Sequence, residues 1–164
     1  MKKWLTPALI AAIFAQLLVP SYLIANKYYI LTAGTEYRFR VNPVDPYDAF
    51  RGRFVSLYPV VGVSGYGKYG VIAVGEGGFA DVVSITDVKP QSGAYVKSGS
   101  RSWFLLPVDR YYMDEKLAPE AERIAWQRGQ GREAYVTVRV KNGSLVVSGL
   151  YVDGVAIEDA VRTE

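Results

Sequence analysis

From Trp4 to Ala25 the chain runs through 22 residues without a charge, and Gln16 is the one strongly polar side chain among them. A helix of that length rises about 33 Å, enough to cross a hydrocarbon core of roughly 30 Å. The run is apolar all round rather than striped, which argues against a helix packed on a soluble core. Lys2 and Lys3 precede it and assign that end to the cytoplasm by the positive-inside tendency. Trp4 at one end and Tyr22, Tyr28 and Tyr29 at the other suit the two membrane interfaces. Pro7 falls near the first turn, and Pro20 is expected to kink the helix or end it. A cleaved signal peptide is the competing reading. Val19-Pro20-Ser21 and Leu23-Ile24-Ala25 are passable cleavage sites, but neither is Ala-x-Ala, and the run is long for a signal peptide. The expected organisation is a transmembrane anchor over residues 1–26 and an extracytoplasmic β-rich domain over 35–158.

Beyond the anchor the period changes from helical to two. Thr35 to Val41 alternates, with Tyr37, Phe39 and Val41 on one face and Glu36, Arg38 and Arg40 on the other, which predicts a half-buried strand. Further strands are expected at Arg53–Val60, Val71–Val74, Phe79–Val88, Ala94–Lys97 and Ser102–Val108, with Gly75-Glu76-Gly77-Gly78 as a hairpin turn. Glu133–Lys141 should pair with Ser144–Val152 through a type I′ turn at Asn142-Gly143, and Asp153-Gly154 offers a second turn into Val155-Ala156-Ile157. One short helix is expected at about 119–128, with Pro119 at its first position, Glu120 and Glu122 near its positive end and Gly129 after its close. The fold class that follows is mostly β: a transmembrane helix, then a small antiparallel barrel or sandwich with that one helix.

Composition narrows the chemistry. Lys2 and Lys3 account for two of the 19 basic residues, so the rest of the chain sets 17 against 16 acidic ones and is nearly neutral. The sequence has no basic stripe of the kind nucleic acid requires. Cys and His are both absent, which removes disulfides, thiol chemistry, Cys/His zinc sites and histidine triads. Neither a metal nor a cofactor is expected. A Ser/Lys dyad is the nucleophile chemistry that remains.

The densest local signal is Pro43-Val44-Asp45-Pro46-Tyr47-Asp48-Ala49-Phe50-Arg51-Gly52. Asp45 can cap a short turn with Pro46 at its first position, Asp48 adds a carboxylate near the free N–H groups, and Gly52 can end the turn. A structural corner explains those four residues, whereas Arg51 is left either to pair locally or to present a cation to an external carboxylate. Gly65-Tyr66-Gly67-Lys68-Tyr69-Gly70 matches a bare GxGxxG, but a strand rather than a helix is expected after it, so dinucleotide binding is not. A Gly/Tyr loop that contacts lipid or a partner protein fits better.

The stretch PVDPYDAFRGRFVSLYP, Pro43 to Pro59, resembles the bacterial family named for its GDYXXLXY motif. The motif positions carried here are Pro43, Asp45, Pro46, Asp48, Arg51, Gly52, Phe54 and Leu57, while Arg53 replaces the family's Asp and Pro59 its last Tyr. Phe104 to Ala121 and Asn142 to Gly154 are similar to later family segments. The resemblance implies an anchored envelope protein that often accompanies a multi-pass membrane protein. It implies placement and fold more than activity. Bacterial signal peptidases are more distantly similar, through Arg51-Gly52-Arg53-Phe54-Val55, Tyr95-Val96-Lys97 and Gly149 to Gly154. That likeness would set Lys97 as general base, but no serine stands before Arg51 in the required setting, which leaves Ser56 as the alternative candidate.

Three functions follow as expectations. The first is a non-enzymatic, single-pass envelope protein facing the periplasm, held in the bilayer by residues 4–25 and partnering another membrane protein. The second is a signal-peptidase-like Ser/Lys hydrolase or its inactive relative. The third is a small-ligand binder using Arg51, Arg53 and the tyrosines.

Overall fold

A computed structural model describes residues 5–44, 54–112 and 133–163. The helix α1 spans Leu5–Ala33 and runs through Pro20, past the expected end of the anchor, with Asn26 and Lys27 inside it. Proline lacks a backbone donor, so Pro20 leaves one bond of the ladder unmade without ending the helix. From Leu9 to Tyr29 the side chains of α1 are exposed; Ile30, one turn before the end, is buried at 3%.

Nine strands follow among the described residues: β1 (Thr35–Val44), β2 (Phe54–Pro59), β3 (Tyr69–Val74), β4 (Ala80–Thr86), β5 (Ala94–Lys97), β6 (Arg110–Tyr112), β7 (Ala134–Lys141), β8 (Ser144–Val152) and β9 (Val155–Ala156). The helix α2 (Ile157–Thr163) closes the described chain. Six strands form one sheet in the order β6-β2-β1-β7-β8-β9, and three form a second in the order β4-β3-β5, with every strand pair antiparallel. Neither sheet closes on itself among these strands, so the arrangement is a sandwich rather than a barrel.

The period-two pattern fills the space between the sheets. Phe39, Val41, Val136, Val138 and Leu150 from the larger sheet meet Ile72, Val82 and Val96 from the smaller. Ile157 seals one end from α2. The hairpin signals hold: Asn142 and Gly143 have φ of 51° and 77°, and Asp153 and Gly154 have 51° and 82°, the left-handed pair a type I′ turn demands. The expected strand continuing through Ile157 stops at Ala156, because Ile157 begins α2 with Glu158 and Asp159 in its first turn.

Ser102–Val108 is not a strand, contrary to expectation. Phe104, Leu106 and Val108 do alternate into the core, but their backbone bonds scatter. The Phe104 N–H donates to the Gly65 carbonyl at 2.8 Å, Leu105 to Ser98 Oγ at 3.1 Å and Val108 to the Leu106 carbonyl at 2.7 Å. Pro107 removes a donor from the middle of the run, so no regular ladder forms. The helix expected at about 119–128 lies outside the described residues.

Between α1 and β1 stands one residue, Gly34, which is buried. A Cβ there would collide with the Ile30 carbonyl oxygen and come within 3.1 Å of Arg139 Cβ and 3.2 Å of the Val140 nitrogen. Gly34→Ala should therefore destabilise the protein by about 1–3 kcal/mol through overpacking. At Gly75 a Cβ would meet nothing nearer than the Phe79 carbonyl oxygen at 3.8 Å, so Gly75→Ala should change stability little. Thermal unfolding of the detergent-solubilised full chain compares the two.

Candidate functional site

Among the described residues, polar and aromatic chemistry gathers at the seam where α1 meets the sheet, on the outer face of β1, β7 and β8, and at the contact between β6 and α2. The seam follows from the register of β1 on β7. Thr35 lies opposite Val140 and Glu36 opposite Arg139, which brings the end of β7 to the end of α1. The last carbonyls of a helix lack intrahelical donors. Here Gly34 N–H donates to the Ile30 carbonyl at 2.8 Å, and Lys141 Nζ donates to the Ala33 carbonyl at 3.1 Å. Arg139 donates to the Gly34 carbonyl at 3.2 Å and pairs with Glu36 at 2.9 Å. Lys141 also sits 4.4 Å from the centroid of the Tyr29 ring. Two cations at the negative end of α1 complement its dipole.

On the outer face, Tyr135 lies opposite Arg40 on β1 and Tyr151 on β8. The two tyrosine rings stack with centroids 5.2 Å apart and 5° between planes, and Phe79 meets Tyr135 edge-on at 5.5 Å. The Arg40 guanidinium lies 4.1 Å from the Phe79 centroid and pairs through Nε with Glu133 at 2.9 Å. Beside this array is a cleft of about 300 Å³ lined by Arg40, Val60, Gly75, Phe79, Ala80 and Asp81. Asp81 Oδ1 accepts from the N–H groups of Gly62 and Val82, both at 2.7 Å. Arg40 is thus already paired, and one Asp81 oxygen carries two backbone bonds. A ligand entering the cleft would compete with these contacts. Among the described residues, no cluster of three or more carboxylates could hold a metal.

The motif block divides. Pro43 lies opposite Leu57 in the β1–β2 pairing, and Leu57 is buried in the core. At Pro43, β1 has passed the end of its pairing with β7, the kind of position where a strand tolerates proline. Phe54 pairs with Tyr112 of β6. Asp45, Pro46, Asp48, Arg51, Gly52 and Arg53 lie outside the described residues. Ser56 sits in β2, between Val44 and Arg110, on the larger sheet; Lys97 is at the exposed end of β5 on the smaller one, where its backbone N–H donates to the Gly143 carbonyl at 2.8 Å. Gly65 to Gly70 leads straight into β3, so the helix that a dinucleotide loop requires is absent there.

A family model described as GDYXXLXY protein matches residues 16–150. The chain belongs to the GDYXXLXY family. Comparison with curated proteins and with solved structures gave no match. The GDYXXLXY region begins inside α1 and ends in β8, so it contains the whole seam, β1 to β7 and most of β8, and stops one residue short of Tyr151 on the outer aromatic face. β9 and α2 follow it.

Beside the packing of Ile157, a side-chain hydrogen bond ties α2 back to the GDYXXLXY region. The Tyr111 hydroxyl of β6 donates a hydrogen bond to Glu158 Oε1. Burial, and then the Glu158 carboxylate, raise the Tyr111 pKa well above the ordinary tyrosine value. Because the folded pKa is the higher one, this stabilisation is complete below the unfolded value of about 10 and is lost as pH rises through the folded value. Tyr111→Phe should cost about 1 kcal/mol at neutral pH, and its deficit against wild type should shrink above about pH 10. Urea unfolding across that pH range measures both effects.

Proposed function

We propose that this GDYXXLXY protein is a single-pass protein of a bacterial envelope, held in the cytoplasmic membrane by α1, with its N-terminus inside and its sandwich on the extracytoplasmic, periplasmic side. Its role in this reading is to accompany another membrane protein rather than to catalyse a reaction. The observation that carries it is α1 itself. The stretch Pro7–Ala33 is long and apolar enough to span a bilayer, and none of its most apolar part is buried by the rest of the chain. Leu9, Phe14, Leu17, Leu18 and Ile24 are each more than half exposed, an area that water penalises and lipid accepts.

Retention rather than cleavage is favoured because both candidate cleavage sites fall inside the unbroken helix. Lys2 and Lys3 support the orientation. A non-enzymatic role is supported by the absence of His and Cys and by the separation of Ser56 and Lys97 onto different sheets. No specific observation favours the hydrolase reading. Ala8, Ala11, Ala12 and Ala15 give α1 small residues of the kind that let membrane helices approach closely, with Gln16 as a polar contact.

Alkaline carbonate should leave the full chain in the membrane pellet, and release into the supernatant would overturn the anchoring. Mild detergent extraction from the native host should recover a membrane protein with this chain, whereas recovery of the lone chain in repeated preparations would remove the partner role. Replacing Ala11, Ala12 and Ala15 together with Leu should keep the chain in the pellet but reduce partner recovery severalfold.

A further inference from the structure

The strand register sends one set of loops toward α1. Because Thr35 lies opposite Val140, the Asn142-Gly143 turn at the end of β7 is on the α1 side of the sandwich. Gly143 bridges Val96 of β5, and its carbonyl accepts from Lys97 N–H at 2.8 Å, so β5 also ends on that side. Tyr69 pairs with both Lys97 and Thr86, which places the start of β3 and the end of β4 there as well. The loops entering β3 and leaving β5 therefore emerge where α1 joins the domain.

These two loops are joined to each other. Ser98 N–H donates to the Lys68 carbonyl at 2.9 Å, and Phe104 N–H to the Gly65 carbonyl at 2.8 Å. Ser98 Oγ donates to the Trp103 carbonyl at 3.3 Å and accepts from Leu105 N–H at 3.1 Å. Phe104 is buried as a plug, which turns its neighbours Trp103 and Leu105 outward at 45% and 51% exposure. The Trp103 ring lies edge-on to Tyr66 at 4.9 Å, and Tyr66 is 74% exposed. A tryptophan, a tyrosine and a leucine are thus held outward by a hydrogen-bonded scaffold. Residues 64–68 and 97–105 carry Lys68, Lys97 and Arg101, all exposed, and no acidic residue.

We propose that Tyr66, Trp103 and Leu105 bed in the lipid headgroup layer, with Lys68, Lys97 and Arg101 on anionic headgroups, giving the sandwich a second contact with the bilayer beside α1. The proposal rests on the anchoring described above and adds to it a fixed attitude of the domain. Tryptophan and tyrosine favour this layer because their rings are apolar and their polar tips remain wet. Each Lys or Arg near an anionic surface adds attraction that falls away within a Debye length. Continuity with the anchor selects lipid as the occupant, since a domain joined to α1 by one residue holds these loops on the membrane side.

The chain has no cysteine, so single-cysteine variants of the full chain can be spin-labelled at one site each. Leu105→Cys tests the contact, Ile13→Cys reports the anchor, and Val155→Cys, in the β8–β9 hairpin at the opposite end of the larger sheet, reports water. In vesicles of phosphatidylcholine with phosphatidylglycerol, collision with oxygen is compared with collision with a water-soluble nickel chelate. The oxygen-to-nickel ratio at position 105 should lie severalfold above that at 155 and below that at 13. Adding Lys68→Gln and Arg101→Gln should move it toward the value at 155. Equal ratios at 105 and 155, with 13 still in lipid, would overturn the proposal and leave the anchor standing. A water-exposed label at 13 would overturn both. A label at 105 that is in water in vesicles, yet shielded from both agents in native membranes, would assign the surface to a protein and also overturn the proposal.

Discussion

The close packing at Gly34 governs how the two parts of this protein are joined. A long apolar helix and the domain that follows it can be linked by a flexible tether, and the chain has no room for one. The backbone passes from the last turn of α1 to the first residue of β1 within a single glycine pressed against β7. Ile30 is buried, Lys141 caps the Ala33 carbonyl, and Arg139 binds both the Gly34 carbonyl and Glu36. Solvent-facing ion pairs contribute little singly, typically below 1 kcal/mol. Here they are directed at helix carbonyls that would otherwise lack partners, and steric closure at Gly34 keeps them in register.

The seam also lies where the two sheets meet. β7 is an inner strand of the larger sheet, and the turn that follows it bridges β5 of the smaller one through Gly143. A Cβ at Gly143 would press on the Tyr95 ring and on Lys97 Cγ at 3.2 Å, so the left-handed glycine serves both the type I′ turn and the close approach of the sheets. The end of α1 is therefore coupled to both layers of the core within a few residues. The polar outer face, by contrast, is internally satisfied: Arg40 lies on Phe79 and pairs with Glu133, and Tyr135 stacks on Tyr151. Such a face is suited to stiffening three strands from outside.

Much of this was legible in the sequence because it rests on local periodicity. The alternation of Tyr37, Phe39 and Val41, the Asn142-Gly143 turn and the uncharged run after Lys3 each report a local pattern: a two-residue period, a tight turn and a long apolar helix. What was not legible depends on partners distant in the chain. Ser102–Val108 has the burial pattern of a strand, but Pro107 and the Ser98 side chain divert its backbone bonds. Gly34 reads as an ordinary break until β7, more than a hundred residues later, is laid against it. Lys141 looked like a strand end, and its role as a cap follows only from the register of β1 on β7. That β2 and β5, which carry Ser56 and Lys97, belong to different sheets is likewise a tertiary fact that spacing does not encode.

The family match sharpens the same point. It begins inside α1 and ends within β8, so the recognisable unit is most of the domain together with the part of the helix that adjoins it. A sequence constraint covering both suits a helix whose direction matters to the domain. A tether needs only to be apolar and long enough, whereas a helix locked to a sheet by Ile30, Gly34 and Lys141 transmits its tilt and rotation to the sandwich. Whatever packs against α1 then also bears on where the outer face and the aromatic loops stand. In this protein, the apolar helix and the sandwich meet at a packed seam with one residue between them.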